Sequence, residues 1–143
     1  MSMRLFIACG SVLAALAVSA GAMGAHLLED QLSPGQLDTF RMAANYQLVH
    51  AVGLIAVGLV CAGNRSGFAR LAGWLLLLGI VLFSGCLFAW VLTDVKFLVH
   101  LVPVGGTALI AGWIALAIAA CRGRAEVRYC ESNEEDGDGD DPH

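Results

Sequence analysis

The stretch LAGWLLLLGIVLFSGCLFAWVLT, residues 71–93, runs for 23 residues without one Asp, Glu, Lys or Arg. A helix needs about 20 apolar residues to cross about 30 Å of hydrocarbon, so this segment is long enough to span a bilayer. Its apolar residues are continuous rather than alternating, which excludes a barrel strand. Only helices and closed barrels satisfy their backbone in lipid, so the segment reads as a membrane helix.

Three more windows have the same character. Leu5–Leu28, Met42–Asn64 and Phe97–Cys121 also carry no charged side chain. The eight basic and twelve acidic residues all fall outside these four windows. Across the 143 residues, 58% are hydrophobic and 14% charged, and mean hydropathy is +0.74. Soluble domains average about 45–50% apolar and about 25% charged. A chain this small has no interior that could hide four such segments. The expected fold is therefore an all-α membrane protein, a bundle of four transmembrane helices at about 4–25, 34–63, 70–92 and 97–121. Arg4 and the small residues Ser19-Ala20-Gly21-Ala22 imitate a cleaved signal. The apolar run continues past them to Ala25, so a retained helix is expected.

Orientation follows the distribution of Lys and Arg. Arg4, Arg65, Arg70, Arg122, Arg124 and Arg128 lie at the N-terminus, in the second loop and after the last window, against Arg41 and Lys96 in the other loops. Both termini are thus expected in the cytoplasm. The segment 123–143 begins basic and turns acidic. From Glu131 onward it holds seven acidic residues and no basic one, a composition that predicts a disordered tail. Residues 1–122 form the membrane domain in this reading. Asp136-Gly137-Asp138-Gly139-Asp140 glances at a calcium loop but has no closing Glu.

Local signals place the elements. Ser33-Pro34-Gly35-Gln36 is a helix start, with Ser at the cap, Pro at the first position and Gln at the third. Ala17, Gly21 and Ala25 recur at steps of four, a small-residue stripe suited to close helix packing. Ser84-Gly85, Pro103, Gly105, Gly106 and Gly112 read as packing positions in the third and fourth helices, with the Ser84 hydroxyl bonded back to the carbonyl of Ile80. A Pro with adjacent Gly can also mark a broken helix lining a transport site, but no second matching half exists here. The five cysteines form no Cys-x-x-Cys pair and read as small apolar packing residues.

Chemistry could reside in the polar residues inside the spans. Tyr46, Gln47 and His50 share a helical face with Ala43 and Gly53. His26 closes the first helix and His100 opens the fourth on the same side of the membrane. These residues form a candidate polar cluster in the outer leaflet, His26, Tyr46, Gln47 and His50, with His50 neutral and hydrogen-bonded. The bland reading is that these groups satisfy one another between helices. No nucleophile, acid–base pair or metal-ligand spacing accompanies them, so no catalytic, cofactor-binding or metal residues are expected.

Gly21-Ala22-Met23-Gly24-Ala25-His26, Tyr46-Gln47-Leu48-Val49-His50, Leu82-Phe83-Ser84-Gly85, Pro103-Val104-Gly105-Gly106 and Ala111-Gly112-Trp113 occur in that order. The ordered set resembles the YgdD family of small bacterial inner-membrane proteins over about residues 4–122. The resemblance implies a multi-pass protein of the cytoplasmic membrane and implies no reaction. Departures from the family pattern are Met23 for Phe, Cys86 and Phe88 for Ser and Tyr, and Val102 for Thr. His100 and the acidic tail lie outside the pattern.

Three functions compete. The first is a non-enzymatic accessory or scaffold component, in contact with the lipid bilayer and with other membrane proteins or further copies of itself, and not with nucleic acid. The second is a small oligomeric transporter or proton-conducting protein using the His cluster. The third is a haem-binding protein with two His ligands.

Overall fold

A computed structural model describes the backbone of residues 3–63 and 67–137, and the side chains of 3–62 and 67–122. Every regular element among them is helical. α1 is Met3–His26, α2 Pro34–Gly63 and α3 Gly67–Ile80. A π turn, Val81–Gly85, leads into α4, Cys86–Thr93. A 3-10 stretch, Lys96–Leu101, precedes α5, Val102–Gly137. Four segments are long and apolar enough to cross a membrane: Met3–His26, Pro34–Ala62, Gly67–Thr93 and Lys96–Arg122.

The start of α2 is built as its sequence dictates. The Gln36 backbone N–H donates to Ser33 Oγ at 3.4 Å, and the Ser33 N–H donates to Gln36 Oε1 at 3.1 Å. Two otherwise orphaned amide donors are satisfied reciprocally. The other turn at this end of the bundle rests on Asp94, whose φ of 56° places it in the left-handed region. Its N–H closes the preceding helix by donating to the Trp90 carbonyl at 2.8 Å. Asp tolerates this conformation better than most side chains.

α2 is the central helix, packing on α1 along one side and on the third span along the other. Where α1 crosses α2, a Cβ on Gly10 would lie 2.7 Å from the Ala51 carbonyl oxygen, and one on Gly58 would lie 3.2 Å from the Met3 carbonyl oxygen. The buried positions of α1 are Phe6, Gly10, Ala17 and Gly24. Gly10, Ala17 and Gly24 repeat at seven residues, the period of helices that cross at a shallow angle. Within the chain the stripe at steps of four is only partly used. Ala17 is buried, but a Cβ on Gly21 would meet nothing within 4 Å. A four-residue step drifts around the helix, whereas a seven-residue repeat stays beside its neighbour.

The core gathers Phe6, Leu54, Val57, Ala72, Leu76, Ile80, Leu109 and Ala115 from all four spans. Phe6 ties α1 to the third span, edge-on to Trp74 at 6.3 Å between ring centroids. At the arginine end, the Arg122 guanidinium lies 4.5 Å above the Phe68 ring, a cation–π contact between the end of the fourth span and the start of the third.

α5 does not stop at Cys121. Its backbone is helical to Gly137, where the composition predicts a disordered tail from 123 onward. Ala125, Glu126 and Arg128 are good helix formers continuing an existing helix, so no new nucleation is required. Residues 138–143 lie outside the described residues.

Candidate functional site

The polar residues of α2 divide between two neighbours. Gln47 turns towards α1 and donates from Nε2 to the Leu13 carbonyl oxygen at 2.9 Å. His50 turns the other way and is 8% exposed. Its Nδ1 lies 2.6 Å from the carbonyl oxygen of Tyr46, one turn earlier. A carbonyl oxygen only accepts, so Nδ1 carries the proton. In the tautomer that this bond selects, Nε2 is left as a lone-pair acceptor.

A ladder of rings surrounds this imidazole. Phe83 of the π turn stacks on Tyr46 at 4.7 Å and 28°. Tyr46 stacks on His50 at 5.8 Å and 19°. Trp113 of α5 stands 6.1 Å from His50, tilted by 59°. Phe83 and Trp113 both lie in the family-like segments, but neither is titratable, and a search for ionisable chemistry passes over them.

The cluster does not include every histidine. His26 is exposed at the end of α1. A Cβ on Gly24 would lie 3.1 Å from the Phe40 ring, so this end of α1 stands beside Phe40. His50 lies ten residues further along α2, about 15 Å at 1.5 Å per residue. The site sits beside Leu13, in the middle of α1, and not at the end of α1 that carries His26. The reason is that α2 packs on α1 from its first turns, with Leu37 and Phe40 already buried. The charge-free window beginning at Met42 understates how much of the helix lies within the span. His100 is likewise exposed in the 3-10 stretch, near Phe97. The two-histidine and three-histidine arrangements are therefore not assembled from these residues. Among the described residues no three His, Cys, Asp or Glu come together as a metal site requires.

The packing positions behave unequally. A Cβ on Gly105 would lie 2.5 Å from the Phe83 backbone nitrogen, and one on Gly112 would lie 2.9 Å from Leu76. A Cβ on Gly106 would make ordinary contact with the Phe83 ring, while one on Gly85 would only graze the Ile80 carbonyl at 4.0 Å. Pro103 is exposed near the start of α5, where a missing N–H is tolerated. Pro103 and the glycines therefore do not break the span.

Ser84 departs from expectation. It is 1% exposed, and its Oγ has no hydrogen-bond partner among the described residues. The expected bond to Ile80 is absent because the π turn Val81–Gly85 widens the backbone just there. Ser84 is carried off the carbonyl that an α-helix would place beneath it.

The comparisons agree on the kind of protein. A family model described as "Protein of unknown function (DUF423)" matches residues 20–106. A Staphylococcus epidermidis protein named UPF0382 membrane protein is 43% identical over 120 residues, covering 84% of this chain and 98% of the relative. The UPF0382 membrane protein YwdK of Bacillus subtilis is 39% identical over 122 residues, covering 84% and 98%. No solved structure matches.

Proposed function

The chain belongs to the DUF423 family of UPF0382 membrane proteins, and from that premise we propose that it is a non-enzymatic component of the bacterial cytoplasmic membrane that works by binding other membrane helices. The YgdD proteins are, in this reading, the same family under another name. Both termini face the cytoplasm, and the segment after residue 122 serves as a charged cytoplasmic appendage.

One observation carries the proposal. α1 uses a single seam, Phe6, Gly10, Ala17 and Gly24, against the rest of the bundle. Its opposite side exposes Ala8, Ser11, Ala15, Ser19 and Ala22, spaced by three and four residues. Ser19 turns its hydroxyl back onto the Ala15 carbonyl at 2.9 Å, which keeps the surface smooth. In lipid, helices associate by close van der Waals packing of small residues. A side meant only for acyl chains has no need of them.

The test is mild solubilisation followed by size analysis of the native chain and of an Ala15→Phe variant. The native chain should run as part of a larger particle, and Ala15→Phe should release a monomeric four-helix unit. Native protein that runs as a bare monomer from gently treated membranes would remove the proposal.

A further inference from the structure

On the side of α2 away from α1, the second and fourth spans meet at Gly53, where a Cβ would lie 2.9 Å from Trp113 Cζ2. Trp113 therefore lies directly on the α2 backbone, yet the residue is 40% exposed. One turn before Gly53 is His50, and one turn before that is Tyr46, itself 45% exposed. Val49 and Ile110 beside them are also exposed, so this groove opens towards acyl chains.

Two polar atoms here have no hydrogen-bond partner among the described residues. His50 Nδ1 is committed to the Tyr46 carbonyl, while no described residue donates to the lone pair on Nε2. The Tyr46 phenol makes no hydrogen bond to any described residue either, although its ring stacks on His50 and on Phe83. One turn of helix thus offers an unused acceptor and an unused donor. Because Gln47 bonds at Leu13, this turn lies near mid-span, far from the water at either end. Polar groups in such a place find partners or carry a penalty. His50 is more than nine-tenths buried, so its orientation is fixed by packing and by the Nδ1 bond, as for imidazoles prepared to receive a ligand.

We propose that this groove binds a lipid-soluble hydroxy-aromatic molecule of the quinol class. Its hydroxyl donates to His50 Nε2, and its second ring oxygen accepts from the Tyr46 phenol. Its ring lies in the groove beside Tyr46 and Trp113, whose rings favour a flat partner over an alkyl chain. Solubility in lipid follows from the depth of the site and from the side on which it opens. A phospholipid hydroxyl or a second copy of the chain could offer polar groups, but neither matches the flanking rings. This site is separate from the exposed side of α1 and stands or falls independently of it.

The experiment uses the full chain in phosphatidylcholine nanodiscs and a decyl-substituted benzoquinol as the probe. The protein has three Trp, so Trp74→Phe and Trp90→Phe leave Trp113 as the reporter. Quenching of Trp113 should saturate. Tyr46→Phe keeps the ring and should weaken binding by about tenfold, the loss expected for one hydrogen bond in a dry site. His50→Leu should weaken it at least as much. Decylbenzene, which has no oxygen, should not compete. Quenching that rises linearly without saturation would overturn the proposal. So would equal affinity for the native protein and Tyr46→Phe, a variant that keeps the fold even if His50→Leu does not. Effective competition by decylbenzene would show an apolar groove only, and a groove closed by a second copy would give no quenching at all.

Discussion

Gly105 and Gly21 have the same side chain and opposite surroundings. A Cβ on Gly105 would press on the Phe83 backbone nitrogen at 2.5 Å, whereas one on Gly21 would meet nothing within 4 Å. A backbone atom cannot step aside as a flexible side chain can. Gly105→Ala should therefore destabilise the bundle by about 1–3 kcal/mol, the usual range for overpacking. Gly21→Ala should be neutral or stabilising by up to about 1 kcal/mol through helix propensity. Reversible unfolding of both variants in mixed micelles measures the difference, and equal effects would contradict the packing described. Ser84 offers a second contrast. Its buried hydroxyl has no partner among the described residues, so Ser84→Ala removes an unmet polar group and little else. The same unfolding assay should find it as stable as the native chain or more so. A loss above about 1 kcal/mol would point to a partner for the hydroxyl, such as a buried water.

At the level of elements, the turns are more demanding than the helices they join. Asp94 sits at φ 56° and closes the third span through its N–H to Trp90. Asp94→Gly should be tolerated, because glycine adopts this conformation without steric strain. Asp94→Val should cost about 1–2 kcal/mol, the left-handed penalty for an L side chain. A thermal melt followed by helical circular dichroism distinguishes the two, and identical melts would place the turn's strain elsewhere. The π turn shows what a local rule misses. Read as an ordinary helix, Ser84 should bond to Ile80. Yet the backbone from Leu82 to Phe83 is where Gly105 of the neighbouring span comes closest, and the widened turn coincides with that approach. The contact is between elements, and the residues around Ser84 carry no local sign of it.

For the whole molecule, charge distribution sets the orientation. Arg4, Arg70 and Arg122 are exposed at one end of the bundle, and the turns at Ser33 and Asp94 lie at the other. If both termini are cytoplasmic, an impermeant thiol reagent added to sealed cells should label a Ser33→Cys variant and spare Cys130. Labelling of Cys130 with Ser33→Cys protected would invert the topology. The proposed association through α1 is a property of the same scale. It asks whether a helix with one buried seam also uses its second side.

The four spans were legible in the sequence because lipid imposes one demand everywhere. About 20 uncharged residues and a self-satisfied backbone suffice, and neither depends on neighbours. The capping of α2 by Ser33 and Gln36 was legible for a similar reason, since both partners lie within one turn. The burial of Tyr46's neighbours also followed from helical spacing, at least in part. Which neighbour each polar group met did not. Gln47 and His50 are three residues apart on one helix, yet one bonds to α1 and the other packs against Trp113 of α5. That division depends on where α1 and α5 stand around α2 and on how far each has slid along it. A slide of one helical turn leaves every charge-free window intact while it changes every side-chain partner. His26 therefore fell away from His50 although both sequences pointed to the same end of the bundle. Lipid solvation acts residue by residue and is written in composition, whereas register between helices is set by contacts between surfaces that only the assembled bundle brings together.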